Sequence, residues 1–110
     1  MTGIINIITT GNDRNTIEYI GKKLVEMRLA ACAQIVGPIK SIYWWKGRVE
    51  EAEEWYCVMK STKNLYKKTE EAITKLHPYE LPEIIAVGIE DALPEYAQWV
   101  TDETESAAQT

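Results

Sequence analysis

The chain's single histidine stands in the run His77-Pro78-Tyr79-Glu80-Leu81-Pro82-Glu83, which brings an imidazole, a phenol and two carboxylates close together. A neutral imidazole is a common metal ligand, and its charge changes near neutral pH. With carboxylate oxygens beside it, it suits a divalent ion such as Zn2+ or Cu2+. Pro78 and Pro82 fix their own φ and bias the preceding residues towards extended backbone, so the run is a stiff connection. His77 and Glu83 are therefore the candidate metal ligands, with Tyr79 and Glu80 as candidate binding residues. One histidine cannot fill a tetrahedral site, so a metal here would draw on a neighbouring copy of the chain. The competing reading is structural: a histidine that ends a helix and hydrogen-bonds its last carbonyls at the negative end of the dipole.

Other chemistry is thin. Cys32 lies among Ala30, Ala31 and Ala33, and Cys57 lies between Tyr56 and Val58 in an apolar strand. Thiols buried in such settings are inert packing residues. A nucleophile–base pair would set Ser41, Ser61 or a cysteine beside His77 with an orienting acid, and the spacing supplies none. Gly37-Pro38 is too short for a phosphate loop. The turn Gly11-Asn12-Asp13-Arg14 sets its arginine beside an aspartate, which does not make an acylphosphatase-type anion loop. No enzyme is expected, and no cofactor is required.

The elements that must position these residues follow from pattern. Ile4 to Thr10 is a β-branched run that ends at Gly11-Asn12, a strand and then a turn. Asp13 or Asn15 can cap a first helix whose apolar face is Ile17, Ile20, Leu24 and Met27. Ala31 to Trp45 is a second strand, interrupted at Gly37-Pro38 by a bulge or an edge. Lys46-Gly47-Arg48 turns the chain, and Val49 to Ser61 returns as its partner in a long hairpin. Thr62 can cap a second helix with Leu65, Thr69, Ala72, Ile73 and Leu76 on one face, ended by His77-Pro78. Glu83 to Glu90 is a fourth strand, and Pro94 opens a short last helix with Tyr96, Trp99 and Val100. This β-α-β-β-α-β order predicts an α+β, ferredoxin-like sandwich: two helices on one face of an antiparallel sheet, plus a C-terminal helix. Residues 1–102 read as one domain and 103–110 as a flexible polar tail.

The bulk composition agrees. The chain has 110 residues, 45% of them hydrophobic, and a formal net charge of -5. That charge disfavours nucleic acid and anionic membranes as partners. RNA-recognition modules share the strand order, but they need aromatics on the first strand and a basic groove. Here the first strand has none, and Val49 to Glu54 would repel phosphate. No apolar run reaches the about 20 residues that span a bilayer, and the N-terminus lacks a signal-peptide pattern. With two cysteines and no disulfide framework, the expected compartment is the cytosol.

The sheet carries too many apolar residues for one solvated face. Trp55, Cys57 and Met59 point to one side, Tyr56 and Val58 to the other, and the opposing strand carries Ile42, Tyr43, Trp44 and Trp45 in a row. Strands apolar on both sides expect cover on both, and one chain has helices enough for one face. Self-association is expected, with Trp44, Trp45 and Trp55 at the interface.

These segments resemble the CutA family of divalent-cation tolerance proteins. The resemblance is carried by Leu29 to Ile35, Ser41 to Gly47, Glu53 to Lys60 with Thr62, His77 to Ile84, and Tyr96-Ala97-Gln98-Trp99, in consistent order over about residues 4 to 101. It implies a cytosolic homotrimer joined through its sheets, similar in architecture to PII signalling proteins, and a role in divalent-cation, notably copper, tolerance by weak metal binding or signalling. Copper-linked members of the family carry a cysteine near the end of the first strand. This chain reads Ile7-Ile8-Thr9-Thr10-Gly11 there, and a threonine hydroxyl is a poor ligand for soft Cu(I). The alternative function is a PII-like sensor of a small anionic ligand between subunits, with Lys46, Arg48 and Lys60 as charge partners.

Overall fold

The computed structural model describes residues 2–109. Its centre is β1 (Ile4–Gly11), which pairs antiparallel with β3 (Arg48–Thr62) on one side and with β4 (Ile84–Gly88) on the other. β2 (Cys32–Trp45) completes the sheet in the order β2-β3-β1-β4. With α1 (Arg14–Glu26) and α2 (Tyr66–Leu76) against one face, this is the ferredoxin-like sandwich that the pattern predicts. Ile5 and Ile7 of β1, Cys57 and Met59 of β3, Ile17, Ile20 and Leu24 of α1, and Ile73 of α2 form one buried cluster. Each large aliphatic side chain so buried contributes roughly 1.5–3 kcal/mol.

Local chemistry sets the joints. Asp13, extended at φ -128, caps α1: its carboxylate accepts from Thr16 N at 3.0 Å and from Thr16 Oγ1 at 2.6 Å. The apolar face of α1 differs at one place from its reading. The helix ends at Glu26, so Met27 falls beyond it and is 46% exposed. Gly21 is buried instead; a Cβ there would stand 3.0 Å from both Ala33 Cβ and Cys57 Sγ, so its absence lets α1 settle onto β2 and β3. Lys46 and Gly47 both take positive φ, 50 and 79, and join Trp45 to Arg48 as a two-residue hairpin turn. Such turns match the right-handed twist of the strands they connect. The β2–β3 ladder shifts register between Val36 and Ile39, the bulge expected at Gly37-Pro38, whose peptide bond is cis.

Three expectations are corrected. Thr62 makes no side-chain cap; the chain first takes one 3-10 turn, Lys63–Leu65, and α2 begins at Tyr66. β4 is shorter than Glu83 to Glu90: its ladder with β1 runs from Thr9↔Ile84 to Ile5↔Gly88. The last helix, α3 (Pro94–Ala108), takes in residues 103–108 of the segment read as a polar tail, whose last residue, Thr110, lies outside the described residues. Its Thr104 is buried and bonds back to Val100 O at 2.9 Å, while Glu103 meets Arg28 at 2.6 Å. A buried threonine at that spacing reads as polar in a sequence, which hides the helix face it belongs to.

The sheet's second face holds Ile8 of β1, Tyr56 and Val58 of β3, Val36 of β2, and Ile85 and Val87 of β4, as the pairings Ile8↔Val58, Ile8↔Ile85 and Val36↔Tyr56 require. α3 covers one end of it, where Tyr96 Oη lies 3.7 Å from Cys32 Sγ. The other end is the β2–β3 hairpin. β1 stops opposite Trp55, so β3 from Arg48 to Glu54 pairs with β2 alone, and the ribbon projects from a molecule 44 × 27 × 22 Å in extent.

Candidate functional site: an acidic, aromatic groove

A groove of about 600 Å3 opens where this hairpin leaves the sheet. One wall is the ribbon, with Tyr43, Trp44 and Trp45; the other is the loop after α2, with Tyr79, Glu80 and Glu83. Thr10, Glu54 and Tyr56 also line it. Two groups of residues singled out by sequence thus meet across it: the aromatic hairpin and the His-Pro-Tyr connection.

His77 holds the second wall in place. It is the C-cap of α2, 8% exposed, with an extended backbone at φ -81 and ψ 133. Its Nε2 lies 2.7 Å from Thr10 O, and its Nδ1 accepts from Tyr79 N at 3.1 Å. A carbonyl can only accept and a backbone amide can only donate, so these partners place the ring proton on Nε2. The structural reading needs one correction, since the carbonyl bonded belongs to β1 and not to the end of α2. As a metal ligand His77 would need a free lone pair, and the Tyr79 amide uses it. The imidazole therefore staples α2 to the end of β1 and aims Tyr79, whose ring packs 4.7 Å from it at 58°.

Tyr79 carries the site's strongest polar contact. Its hydroxyl donates to Glu54 Oε2 at 2.7 Å, and Glu54 is 5% exposed. Burial, then the Glu54 carboxylate by hydrogen bond and charge, pushes the Tyr79 phenol well above its ordinary range. The nearby Tyr43 adds to this, and the Asn12 backbone opposes it. Glu54 escaped the sequence reading because it stands in the acidic run Glu50-Glu51-Ala52-Glu53-Glu54, where each carboxylate looks solvated. Strand alternation was the available signal: Glu54 shares a side with Tyr56, while Glu53 and Glu51 face the opposite way with Lys40.

Other candidates fall elsewhere. Trp55 is not on the second face; it packs beside the helix-side core, its indole 2.5 Å from where a Gly37 Cβ would be. Trp44 is 74% exposed on the ribbon. Lys46 and Arg48 stand at the hairpin tip, whereas Lys60 bonds Gln34 at 3.2 Å. Arg48 and Lys60 are separated by roughly 40 Å of extended strand, so within one chain they do not converge on an anion. Cys57 is fully buried, and burial raises its thiol to about 12. Among the described residues, no three His, Cys, Asp or Glu side chains lie close enough together to hold a metal ion. The donor set of one chain therefore does not fit a resident metal.

Comparison with known proteins matches this architecture. The family of the CutA1 divalent ion tolerance protein matches residues 5–103. The divalent-cation tolerance protein CutA of Thermotoga maritima is 40% identical over 94 residues, covering 86% of this chain and 91% of its own. That of Thermus thermophilus is 39% identical over 98 residues, covering 89% of this chain and 95% of its own. Among solved structures, CutA from Xylella fastidiosa superposes with a TM-score of 0.89 at 34% identity, covering 93% of this chain and 98% of that one. Sequence and fold agree, and the chain belongs to the CutA1 divalent ion tolerance family.

Proposed function

We propose that this protein acts in divalent-cation tolerance as a cytosolic homotrimer without enzymatic activity, through the groove between the hairpin and the Tyr79–Glu83 loop. The observation that carries this is the charge of that groove. Glu54, Glu80 and Glu83 line it, while Lys40, at its edge, turns to the other side of the ribbon and is paired with Glu51 at 3.3 Å. Such a site attracts cations and repels anions, which favours the metal reading over the PII-like anion sensor. Self-assembly supplies what one chain lacks. A two-stranded ribbon is marginal alone, and a face bearing Ile8, Val58, Ile85 and Val87 expects cover. Sister chains at the groove would also bring further oxygen donors to Glu80 and Glu83, which makes weak Cu2+ or Zn2+ binding a property of the assembly. The free thiols Cys32 and Cys57 suit a reducing compartment. An Archaeoglobus fulgidus relative is described as periplasmic, so cell fractionation decides the compartment. The test of function is titration calorimetry of the assembled protein with Cu2+, Zn2+ and adenine nucleotides. Metal binding weakened by Glu83→Ala is expected; nucleotide binding without metal binding would overturn it in favour of the anion sensor.

A further inference from the structure

Two features of the groove are not explained by a metal. Its walls are rich in aromatic rings, with Tyr43, Trp45, Tyr56 and Tyr79 among the lining residues. Its floor holds Glu54, nine-tenths buried, with Oε2 accepting from Tyr79 and no lysine or arginine paired with its carboxylate among the described residues. A buried carboxylate with no cation beside it calls for a positively charged partner. A small metal ion would want several convergent oxygens or nitrogens, and the described residues bring no three together. An organic cation has other needs: ring faces within about 6 Å of its charge and a single counter-charge suffice. The cavity, about 600 Å3, lies within the range of small-molecule sites.

From this we infer that the groove binds an alkylammonium cation, held by cation–π contact with Tyr43, Tyr56 and Tyr79 and by the charge of Glu54. The inference rests on the groove being the working site proposed above, and it adds an organic cation at Glu54 to the metal ions proposed at Glu80 and Glu83. The competing occupant is a lysine or arginine of a sister chain, which would meet the same rings and carboxylate from a covalent tether.

Tetramethylammonium chloride is the probe, with sodium chloride at equal ionic strength as reference, read by the indole amide resonances of the tryptophans. A saturable shift of the Trp45 resonance with tetramethylammonium, absent with sodium, is the expected result. Glu54→Gln and Tyr43→Leu should each weaken it at least tenfold, with circular dichroism unchanged. Tyr43 stands exposed on the ribbon, so its variant decides the matter where Glu54→Gln fails to fold. A saturable response kept at full strength in Tyr43→Leu overturns the inference. So does an assembled protein that shows no response beyond that of sodium; if Glu54→Gln then loosens the assembly, the groove belongs to a sister chain. A saturable, Tyr43-dependent response in a protein that sediments as single chains upholds the inference and removes the trimer instead.

Discussion

At the scale of single residues, the informative group is the Tyr79 phenol against the buried Glu54 carboxylate. Removing it by Tyr79→Phe leaves a buried carboxylate without its donor, which costs about 1–3 kcal/mol near pH 8. The pH dependence has a defined sign. Burial and Glu54 raise the folded-state pKa above the ordinary phenol value, so the contribution is complete below about pH 10 and is lost as pH climbs from there towards the folded value. The stability gap between wild type and Tyr79→Phe, read from urea midpoints, should be constant from neutral pH to about 9 and narrow by roughly 1.4 kcal/mol per unit above about 10. A gap that stays flat up to about pH 11 would show that the phenol gains nothing from its surroundings. Cys57 gives a second check. With its thiol fully buried and raised to about 12, it should resist a thiol reagent in the native protein at pH 8 and react on unfolding in urea. Rapid native labelling at Cys57, mapped by mass spectrometry, would contradict the packing described.

At the scale of elements, Gly37 tests how the ribbon joins the sheet. A Cβ at that position would lie 2.5 Å from Trp55 Cδ1, 2.9 Å from its Cγ and 3.1 Å from Glu54 O. Gly37→Ala must therefore displace the indole or the strand, and overpacking of this kind costs about 1–3 kcal/mol. A lowered urea midpoint is expected, and Trp55→Leu in the same chain should recover part of it; an unchanged midpoint for Gly37→Ala alone would refute the contact. The joint also shows what a sequence can and cannot disclose. The bulge, the turn at Lys46-Gly47, the Asp13 cap and the two-layer order all follow from local rules of backbone and capping, and they were legible. The ends of elements were not, because tertiary contacts decide them: β4 is the stretch laddered to Ile5 to Thr9, and α3 runs on past Val100 with Thr104 buried. The groove was half legible. The His-Pro-Tyr connection and the aromatic hairpin each stood out, but that His77 spends both nitrogens on backbone, and that Glu54 is buried among solvated neighbours, depends on contacts across 67 and 25 positions.

At the scale of the whole molecule, the two sides of the sheet carry different evidence. The helix side closes on itself, with Ile7, Ile17, Ile20, Leu24, Met59 and Ile73 fully buried. The other side is closed at one end by α3 and left apolar at its centre, where Ile8, Val58 and Ile85 stand in register across three strands. A charge placed at that centre separates the two possibilities. In a single chain, Val58→Asp would face water beside exposed neighbours and cost little. In a closed assembly it would bury an unpaired carboxylate at a cost of several kcal/mol per chain, on the order of 3, repeated in every copy. The wild type is therefore expected to sediment as a three-chain particle at micromolar concentration, and Val58→Asp as single chains or as aggregate. Lys22→Asp, on the solvated side of α1, serves as the control for net charge and should leave the particle intact. A Val58→Asp protein that sediments like wild type would mean that water already covers this face, and that any assembly is joined elsewhere on the chain.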